Sequence, residues 1–229
     1  MRWNTPLSEA HAEALIERLD ISAAELILDL GCGWAEFLIR ALETAGAGCA
    51  GIGVDTDGAL LERAAGSVAR SGLAEHVRLE QRPASEWVTA ADRVICIGAS
   101  HAWGGTTAAL QALRTVVSPG GRLLFGDGCW EGAPTAEALT IFGGDVLPLA
   151  DLIEHALDAG WRLLSFSTAD QREWDDFESS WRRGREEWLL AHPEHRDAAE
   201  IRNQLDARLQ EYVKEYRRVL GFCYLVLTR

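Results

Sequence analysis

The chain is poor in several things that would fix a function early. Its five cysteines (Cys32, Cys49, Cys96, Cys129 and Cys223) form no CxxC pair and stand near no histidine at zinc-ligand spacing. An odd number of thiols, scattered mostly through apolar segments, argues against a disulfide framework and against a metal site, and fits free thiols in a reducing compartment. Positive charge is scarce as well: 22 Lys and Arg face 35 Asp and Glu, a formal net charge of -13. Nucleic-acid affinity is drawn from clustered Lys and Arg, and no such patch stands out, so no nucleic-acid partner is expected. No uninterrupted apolar run approaches the length of a membrane span, and MRWNTPLSEAHAEAL carries no apolar signal region. The expectation is therefore a cytoplasmic protein with no membrane partner. Internal repeats and low-complexity linkers are missing too.

What is present is ample material for a core. The 229 residues are 48% hydrophobic and 25% charged, which suits one large domain or one domain with an insertion. An N-terminal arm over about 1–22 holds a helix that Thr5 or Ser8 caps, with Ala12, Leu15, Ile16 and Leu19 on one face. Strands and helices then alternate. ELILDL, CAGIGVD, HVRLEQR, DRVICIGA, RLLFGDG and WRLLSFST read as strands, and GFCYLVLTR as the last. AEFLIRALETAG, DGALLERAAGSVARSG, TTAALQALRTVV and a stretch near 149–159 read as helices, ASEWV as a short helix, and SPGG as a turn. Apolar strands separated by helices predict a parallel sheet covered on both faces. Between 170 and 220 the pattern changes to two charged amphipathic helices divided at Pro193, an insertion before the last strand.

The first strand-to-helix turn carries DLGCG, with Asp29, Gly31 and Gly33. Glycine there lets backbone approach a ligand, and the next helix N-terminus offers unpaired N–H groups. A dinucleotide fingerprint requires a third glycine where Glu36 stands, and a carboxylate at that point repels a pyrophosphate. The next strand ends at Asp55, about 20 residues on, where an acidic side chain accepts hydrogen bonds from ribose hydroxyls. The alternative role for Asp55 is a helix N-cap, for which Asp57 is an equal candidate. The residues ask for a ribose without phosphates, which disfavours a nicotinamide-dependent oxidoreductase.

LDLGCGWAEF, GIGVD, RPASEW, VICIGASHAWGG and SPGGRLLFGD occur in order, and together they resemble class I S-adenosylmethionine-dependent methyltransferases over nearly the whole chain. The resemblance implies an α/β, doubly wound, mostly parallel seven-stranded sheet with an antiparallel last strand. It implies S-adenosyl-L-methionine as the methyl donor. Asp29, Gly31 and Gly33, with neighbouring Cys32, would cradle its methionine part, and Asp55, followed by Thr56, its ribose. Ala84 and Ser85 would lie beside the adenine, and Gly98 and Ala99 beneath the sulfonium. The family often has glycine where Ala35 stands, and an acidic residue near Ala84.

Methyl transfer from a sulfonium is an in-line displacement that chiefly needs alignment and exclusion of water. An oxygen or nitrogen acceptor also has a proton to lose, and His101, just after the fourth strand, is the candidate base; its alternative is a histidine satisfying a loop. GASHAW lacks the Asn/Asp-Pro-Pro-aromatic motif of enzymes that methylate nucleobase amino groups. Trp103, Asp127, Trp130 and Glu131 are the other candidate substrate contacts, the last three in a loop after the fifth strand, where Trp130 could equally anchor the loop. In the insertion Trp174, Trp181 and Trp188 recur every seven residues with Phe177 on the same face, a stripe that suits core packing ahead of a substrate-facing lid. Ile201, Leu205, Leu209, Tyr212 and Tyr216 form the core stripe of the second helix. The expected function is methylation of an O or N atom of a small molecule covered by the arm and the insertion, with a homodimer left open. The rivals are a protein or RNA methyltransferase and a non-catalytic cofactor-binding module.

Overall fold

The computed structural model describes residues 2–23, 25–46, 48–143 and 145–229; Met1, at the head of the expected arm, lies outside them. The chain runs α1 (Glu9–Leu19), β1 (Leu26–Leu30), α2 (Glu36–Ala45), β2 (Ala50–Asp55), α3 (Gly58–Arg70), β3 (Val77–Gln81), a 3₁₀ turn (Ala84–Glu86) and β4 (Ala91–Ile97). A second 3₁₀ turn (Ser100–Trp103), α4 (Thr106–Leu113), β5 (Val117–Trp130), α5 (Ala136–Phe142), β6 (Leu147–Pro148), α6 (Leu149–Asp158) and β7 (Arg162–Thr168) follow. The insertion is α7 (Gln171–Ala191), α8 (Ala198–Glu211) and a π-helical turn (Tyr212–Tyr216), after which β8 (Leu220–Thr228) completes the sheet.

Local chemistry sets these boundaries. Ser8 caps α1 by accepting from His11 N–H, and Asp57 caps α3 by accepting from Ala59 and Leu60 N–H. Asp170 and Glu173 close a reciprocal capping box at the start of α7. The buried face of α1 is Ala12, Leu15, Ile16 and Leu19, as its spacing predicts.

The strand order is β3-β2-β1-β4-β5-β8-β7, with β6 pairing the end of β5. Strands β1 to β5 run parallel, and β8 runs antiparallel between β5 and β7. Alternation along each strand divides the core in two. Ile27, Ile95, Leu124, Tyr224 and Val226 pack on one face, and Leu28, Leu30, Val94, Phe125 and Leu225 on the other. This is the doubly wound architecture that the alternating elements predict. Because β1 neighbours β2 on one side and β4 on the other, the chain reverses direction of travel there, and a crevice opens above their carboxyl ends.

Three features differ from the sequence reading. SPGG is not a separate turn ahead of the strand: β5 begins at Val117 and absorbs these residues as a register break between Ala91↔Val117 and Arg93↔Arg122. The same strand continues to Trp130 because β8 pairs it from Arg122↔Thr228 to Trp130↔Leu220. Trp130 is therefore a strand residue and not a loop residue, while Asp127 lies within the strand already read as RLLFGDG. Helix α5 is an addition, and its single buried residue, Ala138, leaves no apolar stripe to read. The stripe of α8 also departs, since Leu209 is exposed while Tyr212 and Tyr216 are buried in the π turn, whose wider winding re-phases the face.

Candidate functional site

A cavity of about 300 Å³ lies at the carboxyl edge of the sheet, lined by Asp29, Gly31, Cys32, Gly33, Asp55, Thr56, Ala84, Ile95, Gly98, Ala99 and His101 among others. Gly31 has φ +80°, and a Cβ there would meet Ala99 Cβ at 2.4 Å, so the turn closes tightly on the end of β4. A Cβ on Gly33 (φ +54°) would meet nothing within 4 Å; what requires glycine at this position is the backbone conformation. Ala35 also lies in the left-handed region (φ 58°, ψ 23°) at the N-cap of α2, where an L side chain costs on the order of 1 kcal/mol.

The two carboxylates of the cavity differ in environment. Asp55 is held by backbone: Oδ2 accepts from Gly33 N–H at 2.8 Å and Oδ1 from Asp57 N–H at 2.9 Å. Asp55 thus fastens the glycine turn, while the capping of α3 belongs to Asp57. Asp29 is buried, and burial, with the nearby Asp55 charge, pushes its carboxyl up to about 8. The pocket therefore presents a carboxyl that a cation would ionise. Burial also drives the Cys32 thiol well above its usual range, which makes it a wall and not a nucleophile.

The arm closes the mouth. Arg2, Trp3, Asn4, Thr5 and Leu7 all line the cavity. Trp3 packs on Phe37 of α2 with ring centroids 5.7 Å apart, and Trp34 Nε1 donates to Arg2 O at 2.8 Å. Arg2 and Arg40 both reach Glu36 and Glu9. Behind the arm, the Tyr224 hydroxyl donates to Pro6 O at 2.9 Å and shares a 2.5 Å hydrogen bond with Thr5. Glu173 accepts from Ser8 N–H at 2.8 Å and pairs with His11 Nδ1 at 3.0 Å, and His11 Nε2 meets Ser167 Oγ at 2.7 Å. Burial alone would raise the Glu173 carboxyl, but the hydrogen bonds from His11, Ser8 and the Asp170 backbone hold it at about 2.

A second cavity, of about 590 Å³, lies between the arm, α5 and the insertion. Asn4 and Thr5 line both cavities. Phe222, on the wall of the second, approaches Gly98, on the wall of the first, to within 4.0 Å of where a Cβ would sit. Trp174 and Phe177 line this second cavity, while Trp181 and Trp188 pack with Leu189, Ala198 and Leu205 between α7 and α8. The aromatic stripe is thus split between core and cavity wall.

Of the residues singled out from the sequence, Asp29, Gly31, Cys32, Gly33, Asp55, Thr56, Ala84, Gly98, Ala99 and His101 are brought together. Ser85 is exposed on its 3₁₀ turn and outside the cavity lining. The His101 side chain is exposed at the cavity rim, with no hydrogen-bond partner among the described residues. Trp103 packs against the core beside α4. Asp127 accepts from Thr106 Oγ1 at 2.6 Å, Trp130 is buried edge-on to Phe142, and Glu131 is exposed with its N–H bonded to Val219 O. None of these last four lines either cavity.

A methyltransferase-domain family model matches residues 28–123, which span the glycine turn, Asp55 and the His101 segment. The uncharacterized protein YjhP of Escherichia coli (strain K12) is 28% identical over 228 residues, covering 96% of this chain and 91% of that one. A Geobacter sulfurreducens S-adenosylmethionine-dependent methyltransferase, solved with S-adenosyl-L-homocysteine, superposes with TM-score 0.89 at 26% identity, over 100% of this chain and 94% of that chain. A Thiobacillus denitrificans counterpart, also in complex with S-adenosyl-L-homocysteine, gives TM-score 0.87 at 28% identity, over 99% and 94%.

The family model and both superposed structures are methyltransferases, and the two structures are S-adenosylmethionine-dependent ones to which this chain is similar over nearly its whole length. The sequence reading missed the residues that enclose the site: Trp3, Asn4 and Thr5 of the arm, Trp34 and Phe37 around α2, and Gly128, Phe142 and Phe222 of the second cavity. One signal was available. Gly126 and Gly128, two apart on β5, leave one sheet face without side chains, which marks either a close approach or a space. Gly126 is the first, with Ile97 and Phe222 both 3.0 Å from a would-be Cβ; Gly128 is the second, with nothing within 4 Å.

Proposed function

We propose that this protein moves the methyl group of S-adenosyl-L-methionine to an oxygen or nitrogen of a small-molecule acceptor. The carrying observation is that two cavities meet at Asn4 and Thr5, one with the donor-binding carboxylates and one apolar. In the first, Asp29 would receive the methionine ammonium, the Asp55 oxygens would take the ribose hydroxyls, Ala84 would flank the adenine, and Gly98 and Ala99 would lie under the sulfonium. Bound there, the sulfonium supplies an activated methyl carbon: the acceptor lone pair forms the new bond in line as the carbon–sulfur bond breaks, its electron pair passing to sulfur. The chain's own work is to align the two molecules, with the arm excluding water. His101, at the rim without a partner, would take the acceptor's proton.

A walled pocket of this size suits a metabolite and not a polypeptide or RNA, which need an open groove. The charge of -13 and the scarcity of Lys and Arg support the same choice against RNA. Among the described residues no helix is long and apolar enough to cross a membrane. We place the activity in the cytoplasm on the free thiols.

Calorimetry with S-adenosylmethionine and with NAD tests the donor: tight NAD binding with no response to S-adenosylmethionine would sink the proposal. Asp55→Ala should weaken donor binding at least tenfold, since it loses both the ribose contact and the Gly33 anchor. A metabolite screen with labelled methyl donor tests the acceptor, and transfer to protein or RNA alone would refute the small-molecule reading.

A further inference from the structure

The second cavity says what kind of acceptor fits. Its wall is built mainly from Ile141, Phe142, Val146, Trp174, Phe177 and Phe222, side chains that gain by being covered. The charged groups on it are committed. Arg208 Nε and Nη2 each donate to Glu178 at 3.0 Å, and the same guanidinium sits over the Trp181 ring at 3.9 Å. Tyr216 donates to Glu178 at 3.0 Å. The remaining charged lining residue, Glu211, is negative and exposed. A phosphate or carboxylate would therefore lose its hydration against an apolar wall and meet a cation already paired twice.

The cavity also has a defined floor. Gly128 lies opposite Phe222 in the β5–β8 ladder, so both face the same side of the sheet. A side chain at Gly128 would meet no atom within 4 Å, and its backbone is outside the left-handed region. The glycine is not required by the turn of the chain; what it leaves is room.

We propose that the acceptor is an uncharged, predominantly apolar small molecule held in this second cavity, and that the absence of a side chain at Gly128 sets how much of it fits beside the donor. The proposal rests on the methyl-transfer reading, because Asn4, Thr5 and the Phe222–Gly98 contact are what join this cavity to the donor site. It narrows the acceptor to one chemical class and names a specificity-determining position.

The neutral fluorophore N-phenyl-1-naphthylamine is the probe, titrated into the full-length protein with saturating S-adenosylhomocysteine. Wild type should bind it in the micromolar range, and n-decanol should displace it at a concentration at least tenfold below that needed for decanoate. Gly128→Leu should weaken probe binding at least tenfold and leave S-adenosylhomocysteine affinity within twofold, which also shows that the variant is folded. Ala207→Phe, narrowing the cavity from α8, should do the same. Probe binding unchanged in both variants, or displacement by decanoate as readily as by decanol, overturns the proposal. A wild type that takes the probe but ignores S-adenosylhomocysteine overturns the donor reading instead, and with it the cavity's role as an acceptor site.

Discussion

Asp29→Asn should make the empty protein more stable and the donor bind worse. In the empty pocket burial and the Asp55 charge hold the Asp29 carboxyl at about 8, against an ordinary aspartate value of 3.8. A group raised on folding gives stability that is complete below the unfolded value and is lost as pH climbs to the folded value. At pH 7 the loss spans about 3.2 pH units at 1.36 kcal/mol each, so it amounts to about 4 kcal/mol. Asn is of the same shape and does not titrate. The variant and wild type should therefore have nearly equal stability at pH 4, diverge steadily above it, and differ by about 4 kcal/mol at pH 7. For a chain of this size that is on the order of 10 °C in melting temperature. A melting difference independent of pH would refute the linkage.

The same carboxyl gives a second readout on binding. At pH 7 a group titrating at about 8 is mostly protonated in the empty pocket. An ammonium arriving beside it lowers that value, so donor binding should release close to one proton. Calorimetric enthalpies in phosphate and in Tris should then differ by nearly the full difference of the buffers' ionisation enthalpies, and Asp29→Asn should abolish the difference. Loss of the charge-assisted contact should weaken binding roughly tenfold to a hundredfold. Equal enthalpies in both buffers for wild type would mean that Asp29 does not meet the ammonium.

Three other outcomes are expected. Ala35→Gly, which relieves a left-handed alanine at the α2 N-cap, should raise stability by about 1 kcal/mol in chemical denaturation and leave donor affinity unchanged. Glu173→Gln should cost roughly 1–3 kcal/mol at neutral pH, because one of the two oxygens that accept from Ser8 N–H and from Asp170 N–H becomes a donor. A lowered carboxyl gives stability that is present above its ordinary value near 4.5 and lost towards 2, so melts of this variant and wild type should converge as pH falls across that range. If His101 is the base, His101→Ala should lower turnover by roughly 10²–10⁴ without changing donor affinity, and near wild-type turnover would leave alignment as the whole mechanism.

The first cavity was legible because its determinants are local. Asp29, Gly31, Gly33 and Ala35 lie on one turn, and Asp55 ends the next strand, so spacing alone places them together. The second cavity is built by Asn4, Gly128, Phe142, Trp174, Ala207 and Phe222, one each from six separate segments. No spacing rule links them, and only the β5–β8 ladder and the docked insertion bring them to one wall. Trp130 illustrates the same limit. As a loop residue it was a substrate contact; once β8 extends β5, the strand alternation buries it against Phe142.

Glu36 shows how a residue singled out for one reason can matter for another. Its charge was the ground for excluding a pyrophosphate, through repulsion at low dielectric. In the fold Arg2 and Arg40 approach its carboxylate at 3.6 and 3.4 Å, half-exposed pairs that blunt the charge. What remains is position. Glu36 is the first residue of α2 and lines the cavity. The same pairing ties the arm to α2, with Trp3 on Phe37 and Trp34 on the Arg2 carbonyl. One acidic residue thus helps hold the arm over the glycine turn, and the cover it gives the cavity is a feature no motif for the turn alone describes.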